Sequence, residues 1–194
     1  MTRTATVTRK TKETDIEISI ELDGTGTTTI ETGVGFFDHL LTALGHHSLI
    51  DLDIRCDGDL DIDDHHTVED TSIALGQAIG QALGDRAGIQ RFGDATVPMD
   101  EAIATCTVDV GGRPYPVIDV ALRQSMIGNL STQNVPHALE TFARSAGFTL
   151  HLTASGSNDH HIAEASFKAL ARAIRSAVAP DARRVGVAST KGTT

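Results

Sequence analysis

The sequence predicts an α+β fold made of two duplicated β/α half-domains related by a pseudo-two-fold axis. Strand-like and helix-like patterns alternate along the chain, and the string His-His-x-x-Glu occurs twice, at 65–69 and at 160–164. One offset, 95 residues, relates both the two strings and the apolar stripes that follow them. We therefore expect one domain, with a first half of about residues 1–92 and a second half of about residues 93–194.

The first half shows two strand patterns and two helix patterns. Residues 14–30 begin with alternating apolar side chains and end in a Gly-rich turn, which predicts a half-buried strand. Residues 34–45 have helical apolar spacing, with Asp38 near the start and Gly45 as a stop signal. A strand at 49–56 and a helix at 67–83 follow.

The second half repeats this order. After strands near 102–110 and 116–122, the sequence predicts a short helix at 137–147, a strand at 148–154 and a long helix at 160–178. His137 in the short helix matches His39 in the first half. Subtracting 95 from the apolar positions of the long helix gives Val68, Ser72, Leu75, Ile79 and Leu83. An internal duplication explains this agreement.

Composition excludes several classes of protein. The net charge of −10 argues against a nucleic-acid partner, because no basic stripe offsets it. No run approaches the roughly 18 apolar residues that span a bilayer, and the polar N-terminus lacks the apolar core of a secretion signal. We expect a cytoplasmic protein without a membrane partner. Cys56 and Cys106 are too few for a disulfide framework, and we expect both to be buried thiols.

The repeated string has the spacing of metal ligands. His65 and Glu69 are four residues apart, so they share a helix face, whereas adjacent histidines point about 100° apart. Each histidine pair therefore suits two metals, or a metal and a substrate contact, better than one ion. His39 and His137 could complete two coordination spheres. The candidate ligands are His39, His65, His66, Glu69, His137, His160, His161 and Glu164.

This donor set holds only imidazole and carboxylate groups. It favours Mn, Fe, Ni or Zn in an open catalytic site over structural zinc, which usually recruits Cys. One isolated string would more often be a surface or capping feature, but two copies at a common offset favour a ligand set. His46 and His47 have no repeated counterpart and are interpreted as helix-end or surface residues, and His151 as solvated.

The Asp-rich residues 57–64 resemble a calcium-binding loop only superficially. If Asp57 is taken as the first position of such a loop, Ile62 stands where glycine is required and Val68 where a bidentate Glu is required. We therefore expect these acids to form a solvated strand face that leads into the helix.

Several strings closely resemble the imidazoleglycerol-phosphate dehydratase family. The longest are GFFDHLL at 35–41, DDHHTVEDTSIALGQA at 63–78 and SGSNDHHIAEASFKALARA at 155–173. Shorter matches are RKTKET at 9–14, IQRFG at 89–93, MDEA at 99–102, GGRP at 111–114 and ASTKG at 188–192. The resemblance covers nearly the whole chain, and it implies the monofunctional form of the family, without the phosphatase domain of the bifunctional variant.

The resemblance implies a hydro-lyase of histidine biosynthesis that converts D-erythro-imidazole-glycerol phosphate into imidazole-acetol phosphate and water. It implies two Mn(II) ions per active site, held by the eight ligands above. It also implies halves similar to the second domain of ribosomal protein S5. Finally, it implies a homo-oligomer of 24 subunits with active sites between subunits.

The resemblance also implies roles for further residues. No carbonyl acidifies the proton to be removed, so the metals would act as Lewis acids on the imidazole, whose ring could then expel the hydroxyl. Glu13, or a released Glu69 or Glu164, is the candidate base. Glu13 and His39 also contact the substrate, and its phosphate meets Arg91, Arg113, Ser189, Thr190 and Lys191.

Two other functions fit the ligands alone. A dinuclear metallohydrolase also uses paired His and Glu ligands, but it activates a bridging water. A non-enzymatic metal-binding assembly protein would hold metal without turnover.

Overall fold

A computed structural model describes residues 2–192, which form ten strands and four helices. The elements of the first half are β1 (Thr4–Lys10), β2 (Thr14–Glu21), β3 (Thr28–Glu31), α1 (Gly35–Ser48), β4 (Asp51–Gly58) and α2 (His65–Leu83). Those of the second half are β5 (Phe92–Met99), β6 (Ala102–Asp109), β7 (Tyr115–Val120), β8 (Met126–Ile127), β9 (Leu130–Ser131), α3 (Asn134–Ala146), β10 (Thr149–Ser155) and α4 (Asp159–Val178).

The two halves have the same sheet topology. The first sheet has the order β1-β2-β4-β3 and the second the order β5-β6-β10-β7. In each sheet the last strand is parallel to its neighbour and the other pairs are antiparallel. The hairpin β8–β9 is added before α3 and has no counterpart in the first half. The predicted α+β fold of two similar halves is confirmed.

Four helices lie between the two sheets. α1 and α2 cover one face of the first sheet, and α3 and α4 cover one face of the second. The helices then pack across the halves, α1 against α4 and α2 against α3. Period-two alternation explains the sheet faces: Ile16, Ile18 and Ile20 are buried, while Asp15 and Glu17 face solvent. One continuous apolar core joins the four layers.

Local signals fix the helix ends next to the site. The backbone N–H and the hydroxyl of Thr32 both donate to the Asp38 carboxylate, which stabilises the start of α1. At the start of α4, the Asn158 side chain accepts from the His160 N–H. Gly147 ends α3 in the left-handed conformation, with φ +71°.

Two long strands, β1 and β5, and the short hairpin β8–β9 do not follow from the apolar pattern. β1 was not predicted because Val7 is its only fully buried side chain, so its alternation is hidden among threonines. β5 was not predicted because its inward side begins at Gly93, where α4 comes so close that a Cβ atom would lie 2.1 Å from the Ala173 carbonyl oxygen. In addition, the predicted strand at 14–30 is two strands, β2 and β3, which lie on opposite sides of β4.

Two further expectations have clear outcomes. The predicted solvated strand face at 57–64 is wrong in part, because β4 ends at Gly58 and Asp64 is buried at the start of α2. Cys56 and Cys106 are buried free thiols, as predicted, and burial raises the pKa of the Cys106 thiol to about 12. Within residues 2–192, no helix is long and apolar enough to cross a membrane.

Candidate metal and substrate site

The first group of candidate ligands lies where α1 packs on α4. We call His39, His160 and Glu164 the α1–α4 cluster. Nε2 of His39 lies 3.0 Å and Nε2 of His160 lies 2.8 Å from Oε1 of Glu164. The Phe36 ring, whose centroid is 4.8 Å from that of His160, packs beside the cluster. Both imidazoles therefore turn their Nε2 atoms towards one carboxylate oxygen.

The second group lies where α2 packs on α3. We call His65, Glu69 and His137 the α2–α3 cluster. Nε2 of His137 is 3.1 Å from Oε1 of Glu69, and Nε2 of His65 is 3.8 Å from Oε2. The two imidazole rings are stacked, with centroids 5.0 Å apart. Nδ1 of His65 lies 3.3 Å from the Asn134 side-chain oxygen, so its other nitrogen also has a partner.

Each cluster takes residues from both halves. In the α1–α4 cluster, His39 comes from the first half and the other two residues come from the second. In the α2–α3 cluster the contributions are reversed, since His137 is the only residue from the second half. In both clusters, three donor atoms lie within 4.8 Å of one another. Two imidazole nitrogens and one carboxylate suit a divalent metal ion with further ligand positions free, so the residues fit the implied metal.

The two carboxylates have different surroundings. The Glu164 side chain is only 8% exposed, and its Oε2 lies 2.5 Å from Nζ of Lys168, one helical turn further along α4. Burial alone would raise the pKa of Glu164, but hydrogen bonds from Lys168, His39 and His160 outweigh it and lower the pKa to about 2. The Glu69 side chain is 36% exposed. Among residues 2–192 it pairs with no lysine or arginine.

The second histidine of each string points away from its cluster. Nδ1 of His66 lies 3.0 Å from Asp59, and its Nε2 is 3.8 Å from the Glu13 carboxylate. Nδ1 of His161 lies 2.8 Å from Glu101. These acids raise the pKa of both imidazoles, Asp59 that of His66 and Glu101 that of His161. We call His66 and His161 the outer histidines. The structure thus brings together six of the eight predicted ligands, three in each cluster.

Two buried acids precede the histidine pairs. Asp64 accepts hydrogen bonds from the Ser131 N–H and hydroxyl, at 2.6 and 2.7 Å. Asp159 accepts from the N–H groups of Arg123 and Gln124. These contacts tie the segment before α3 to the first residues of α2 and α4. Sequence reasoning missed both residues, although they obey the same offset of 95 and extend the motif to Asp-His-His-x-x-Glu.

The residues predicted to meet a phosphate lie together elsewhere. A cavity of about 510 Å³ is lined by Arg91, Phe92, Gly111, Arg113, Ala188, Ser189, Thr190 and Lys191. We call it the cation cavity. Arg113 and Lys191 are exposed and form no ion pair within residues 2–192. Arg91 instead binds both oxygens of Asp109, at 2.7 and 2.9 Å, and donates to the Ala188 carbonyl, so it holds the C-terminal segment in place.

The cation cavity is far from both clusters of the same chain. The Arg91 N–H donates to the carbonyl of Ala177, which is thirteen residues after Glu164 in α4. At 1.5 Å per residue, these positions are about 20 Å apart. Val187 pairs with Ala87, beyond the end of α2, while Glu69 is near the start of that helix. One small molecule cannot bridge the cavity and a cluster within one chain.

Comparison with known proteins identifies the family. The sequence model of the family described as imidazoleglycerol-phosphate dehydratase matches residues 32–174. The chain belongs to the imidazoleglycerol-phosphate dehydratase family. A relative of that name from Acidiphilium cryptum is 55% identical over 99% of both chains. One from Frankia casuarinae is also 55% identical over 99% of both.

Two solved structures of family members have the same fold. The imidazoleglycerol-phosphate dehydratase of Staphylococcus aureus has a TM-score of 0.83 and 34% identity, covering 91% of this chain and 99% of its own. The enzyme of Pyrococcus furiosus has a TM-score of 0.83 and 35% identity, covering 97% of this chain and all of its own. The predicted family is therefore confirmed.

Proposed function

We propose that this chain is the hydro-lyase of histidine biosynthesis that dehydrates D-erythro-imidazole-glycerol phosphate to imidazole-acetol phosphate. The observation that carries this function is the full-length similarity to imidazoleglycerol-phosphate dehydratases, at 55% identity over 99% of both chains. The paired His and Glu clusters and the cation cavity provide donors for an imidazole-bearing phosphate ester. Neither rival function accounts for all of these features together.

The eight ligands are assigned to two Mn(II) ions in each active site. The α1–α4 cluster holds one ion and the α2–α3 cluster the other, and the outer histidines supply the remaining imidazole donors. Imidazole and carboxylate donors without thiolate suit Mn, Fe, Ni or Zn, and the similarity to the family favours manganese among these. When bound, the ions supply Lewis acidity to the substrate imidazole.

We further propose that each active site combines residues of several subunits in a homo-oligomer of 24 chains. One distance and one orientation support this arrangement. Arg91 of the cation cavity is hydrogen-bonded to Ala177, about 20 Å along α4 from Glu164 of the α1–α4 cluster, which is too far for an imidazole and a phosphate joined by three carbons. The outer histidines also point away from both clusters, so the missing imidazole donors of each cluster must come from a neighbouring copy.

Different side chains of the site then bind different parts of the substrate. Arg113 and Lys191 bind the phosphate oxygens, and Ser189 and Thr190 donate from the same cavity wall. Arg91 keeps that wall in position through Asp109 and the Ala188 carbonyl and adds positive charge. His39 contacts the substrate from the α1–α4 cluster.

Glu13 takes the proton from carbon. Its carboxylate is half exposed and lies 3.8 Å from Nε2 of His66, so a site that includes His66 also includes Glu13. Glu69 and Glu164 are instead occupied by the imidazoles of their clusters. Glu13→Gln should lower kcat by about a hundredfold or more at unchanged manganese content, because general base catalysis contributes that much. Near-normal turnover would remove Glu13 from the chemistry.

Mixed oligomers test the shared site. Arg113→Ala and Glu164→Gln should each lower turnover by at least about tenfold at a substrate concentration below the KM of the unmutated enzyme. The two variants are then co-expressed with different tags and isolated as mixed oligomers. Sites shared between subunits should regain turnover, because some of them receive an intact cation cavity from one chain and an intact cluster from another. Chelation followed by Mn(II) addition checks the metal requirement in the unmutated enzyme. Mixed oligomers without activity would contradict the shared site.

Two further assignments remain proposals. We place the enzyme in the cytoplasm, where its small-molecule phosphate ester substrate would be made. We also place the boundary between the two halves near residue 92, so that 1–92 and 93–194 together form one domain.

A further inference from the structure

The contact between His161 and Glu101 determines both the orientation of the His161 ring and which of its nitrogens carries the proton. Nδ1 of His161 lies 2.8 Å from Oε2 of Glu101. We infer that Glu101 is a positioning residue that keeps the His161 proton on Nδ1 and so leaves Nε2 free to bind metal. This inference rests on the proposed function, which assigns His161 as a ligand.

The reason lies in imidazole chemistry. A neutral imidazole has one N–H and one lone pair, and only the nitrogen with the lone pair can bind a metal ion. An ionised carboxylate can only accept a hydrogen bond, so the nitrogen facing it must carry the proton. Such a carboxylate–histidine pair also fixes the ring orientation and increases the basicity of the free nitrogen.

Glu101 is itself held in one orientation. It lies in the turn between β5 and β6, and its Oε1 accepts the backbone N–H groups of Ser157 and Asn158, at 3.2 and 2.8 Å. Asn158 in turn accepts from the His160 N–H at the start of α4. The two carboxylate oxygens thus have separate partners, Oε1 the backbone and Oε2 the imidazole of His161. The adjacent Asp100 adopts a positive φ of 49°, which is unusual for a residue other than glycine.

The first half has a looser version of this pair. Both oxygens of Asp59 lie near Nδ1 of His66, at 3.2 and 3.0 Å. Within residues 2–192, no backbone N–H binds the Asp59 side chain, so it is free to rotate. Each outer histidine therefore has a carboxylate partner of its own, but only that of His161, Glu101, is held in one orientation.

Replacing Glu101 by glutamine tests the inference. In Glu101→Gln the amide oxygen must face the Ser157 and Asn158 N–H groups, so the NH₂ group faces His161. That group donates to Nδ1, moves the imidazole proton to Nε2 and blocks metal binding there. We expect the affinity of the metal-free oligomer for Mn(II), measured by calorimetry, to fall by about 10- to 100-fold. The unfolding temperature of the metal-free protein should stay close to that of the unmutated chain.

Glu101→Ala separates positioning from structural support. Alanine removes the backbone contacts but lets water accept from Nδ1, so Mn(II) affinity should fall less than in Glu101→Gln. A purely structural Glu101 predicts the opposite order, because glutamine keeps the backbone contacts. Asp59→Asn is the matched control: its amide can rotate to present oxygen to His66, so its affinity loss should be smaller than that of Glu101→Gln.

His161→Ala distinguishes this inference from the proposed function. If His161→Ala binds Mn(II) as tightly as the unmutated chain, the ligand assignment fails and the inference fails with it. If His161→Ala loses affinity while Glu101→Gln binds at least as tightly as Glu101→Ala, the ligand assignment stands and the role of Glu101 is overturned.

Discussion

The α1–α4 and α2–α3 clusters have the same donors in different surroundings. Both join two histidines to one glutamate across the halves. Glu164 is nearly buried and has Lys168 as a counter-charge, whereas Glu69 is partly solvated and position 73, its equivalent of 168, is Ile73. A buried carboxylate needs a compensating charge, but one in contact with water does not. The two halves therefore have the same set of donors, while each carboxylate is stabilised in its own way.

Removal of either cluster carboxylate should have the largest effect. Glu164→Gln and Glu69→Gln each remove one of the proposed metal donors, and we expect kcat/KM to fall by at least about a hundredfold, with less manganese per chain by elemental analysis. The two variants should differ in the stability of the metal-free protein. Glu164→Gln leaves Lys168 without its partner and should destabilise the fold by about 1–3 kcal/mol, while Glu69→Gln should change stability little. Equal destabilisation would contradict the difference between the clusters.

Loss of the free arginine of the cation cavity should have the next largest effect. Arg113→Ala removes the proposed charge-assisted contact with phosphate, so KM should rise by about 10- to 100-fold while manganese content is unchanged. Arg91→Ala should raise KM and also destabilise the C-terminal segment, because Arg91 holds Ala188. The exposed Arg175 near the end of α4 is the matched control, and Arg175→Ala should leave KM unchanged. An unchanged KM in Arg113→Ala would refute the phosphate assignment.

Lys168 provides a more direct test of the two environments. Lys168→Met keeps the aliphatic stem but removes the charge beside Glu164, so the metal-free protein should lose about 1–2 kcal/mol of unfolding free energy. Added Mn(II) should restore part of that loss, since the ion replaces the missing positive charge. Arg172→Met, one turn further along α4 at an exposed position, is the control. If both variants unfold alike, Lys168 does not stabilise the carboxylate.

The smallest expected effect concerns the buried acid at the start of α2. Burial opposes ionisation of Asp64, but hydrogen bonds from Ser131 outweigh it and lower its pKa. A lowered pKa stabilises the fold above the unfolded-state value of about 3.9, and this stabilisation is lost as the pH falls through the folded-state value. Asp64→Asn should therefore cost about 1 kcal/mol near pH 6, and the difference from the unmutated protein should shrink towards pH 3. The check is chemical denaturation of metal-free protein; a pH-independent difference would contradict it.

The sequence predicted the helices that carry the ligands better than the strands that support them. α2 and α4 have a long apolar stripe and a repeated motif, and their predicted bounds agree to within two residues. β1 could not be found, because a strand at the sheet edge needs few apolar side chains. The split between β2 and β3 could not be predicted, because these strands are consecutive in sequence but are separated in the sheet by β4, which comes later in the chain.

For the site, the sequence predicted the directions of the histidine side chains but not the residues of other helices that they contact. The 100° separation of adjacent histidines places His65 and His66 on different sides of α2, as the structure has them. The packing of α1 on α4 brings residues more than 120 positions apart together, and no local pattern specifies such a contact. The role of Lys168 could not be predicted for a different reason: the equivalent position in the first half is Ile73, so the internal repeat does not indicate it.

The packing of helices across the halves also bears on how such a chain could arise. α1 and α2 belong to one half and α3 and α4 to the other, yet each cluster needs both. A half-length chain would hold donors for two clusters and complete neither until a second copy docked against it. Joining the copies in one chain makes that docking intramolecular, so cluster formation no longer depends on protein concentration.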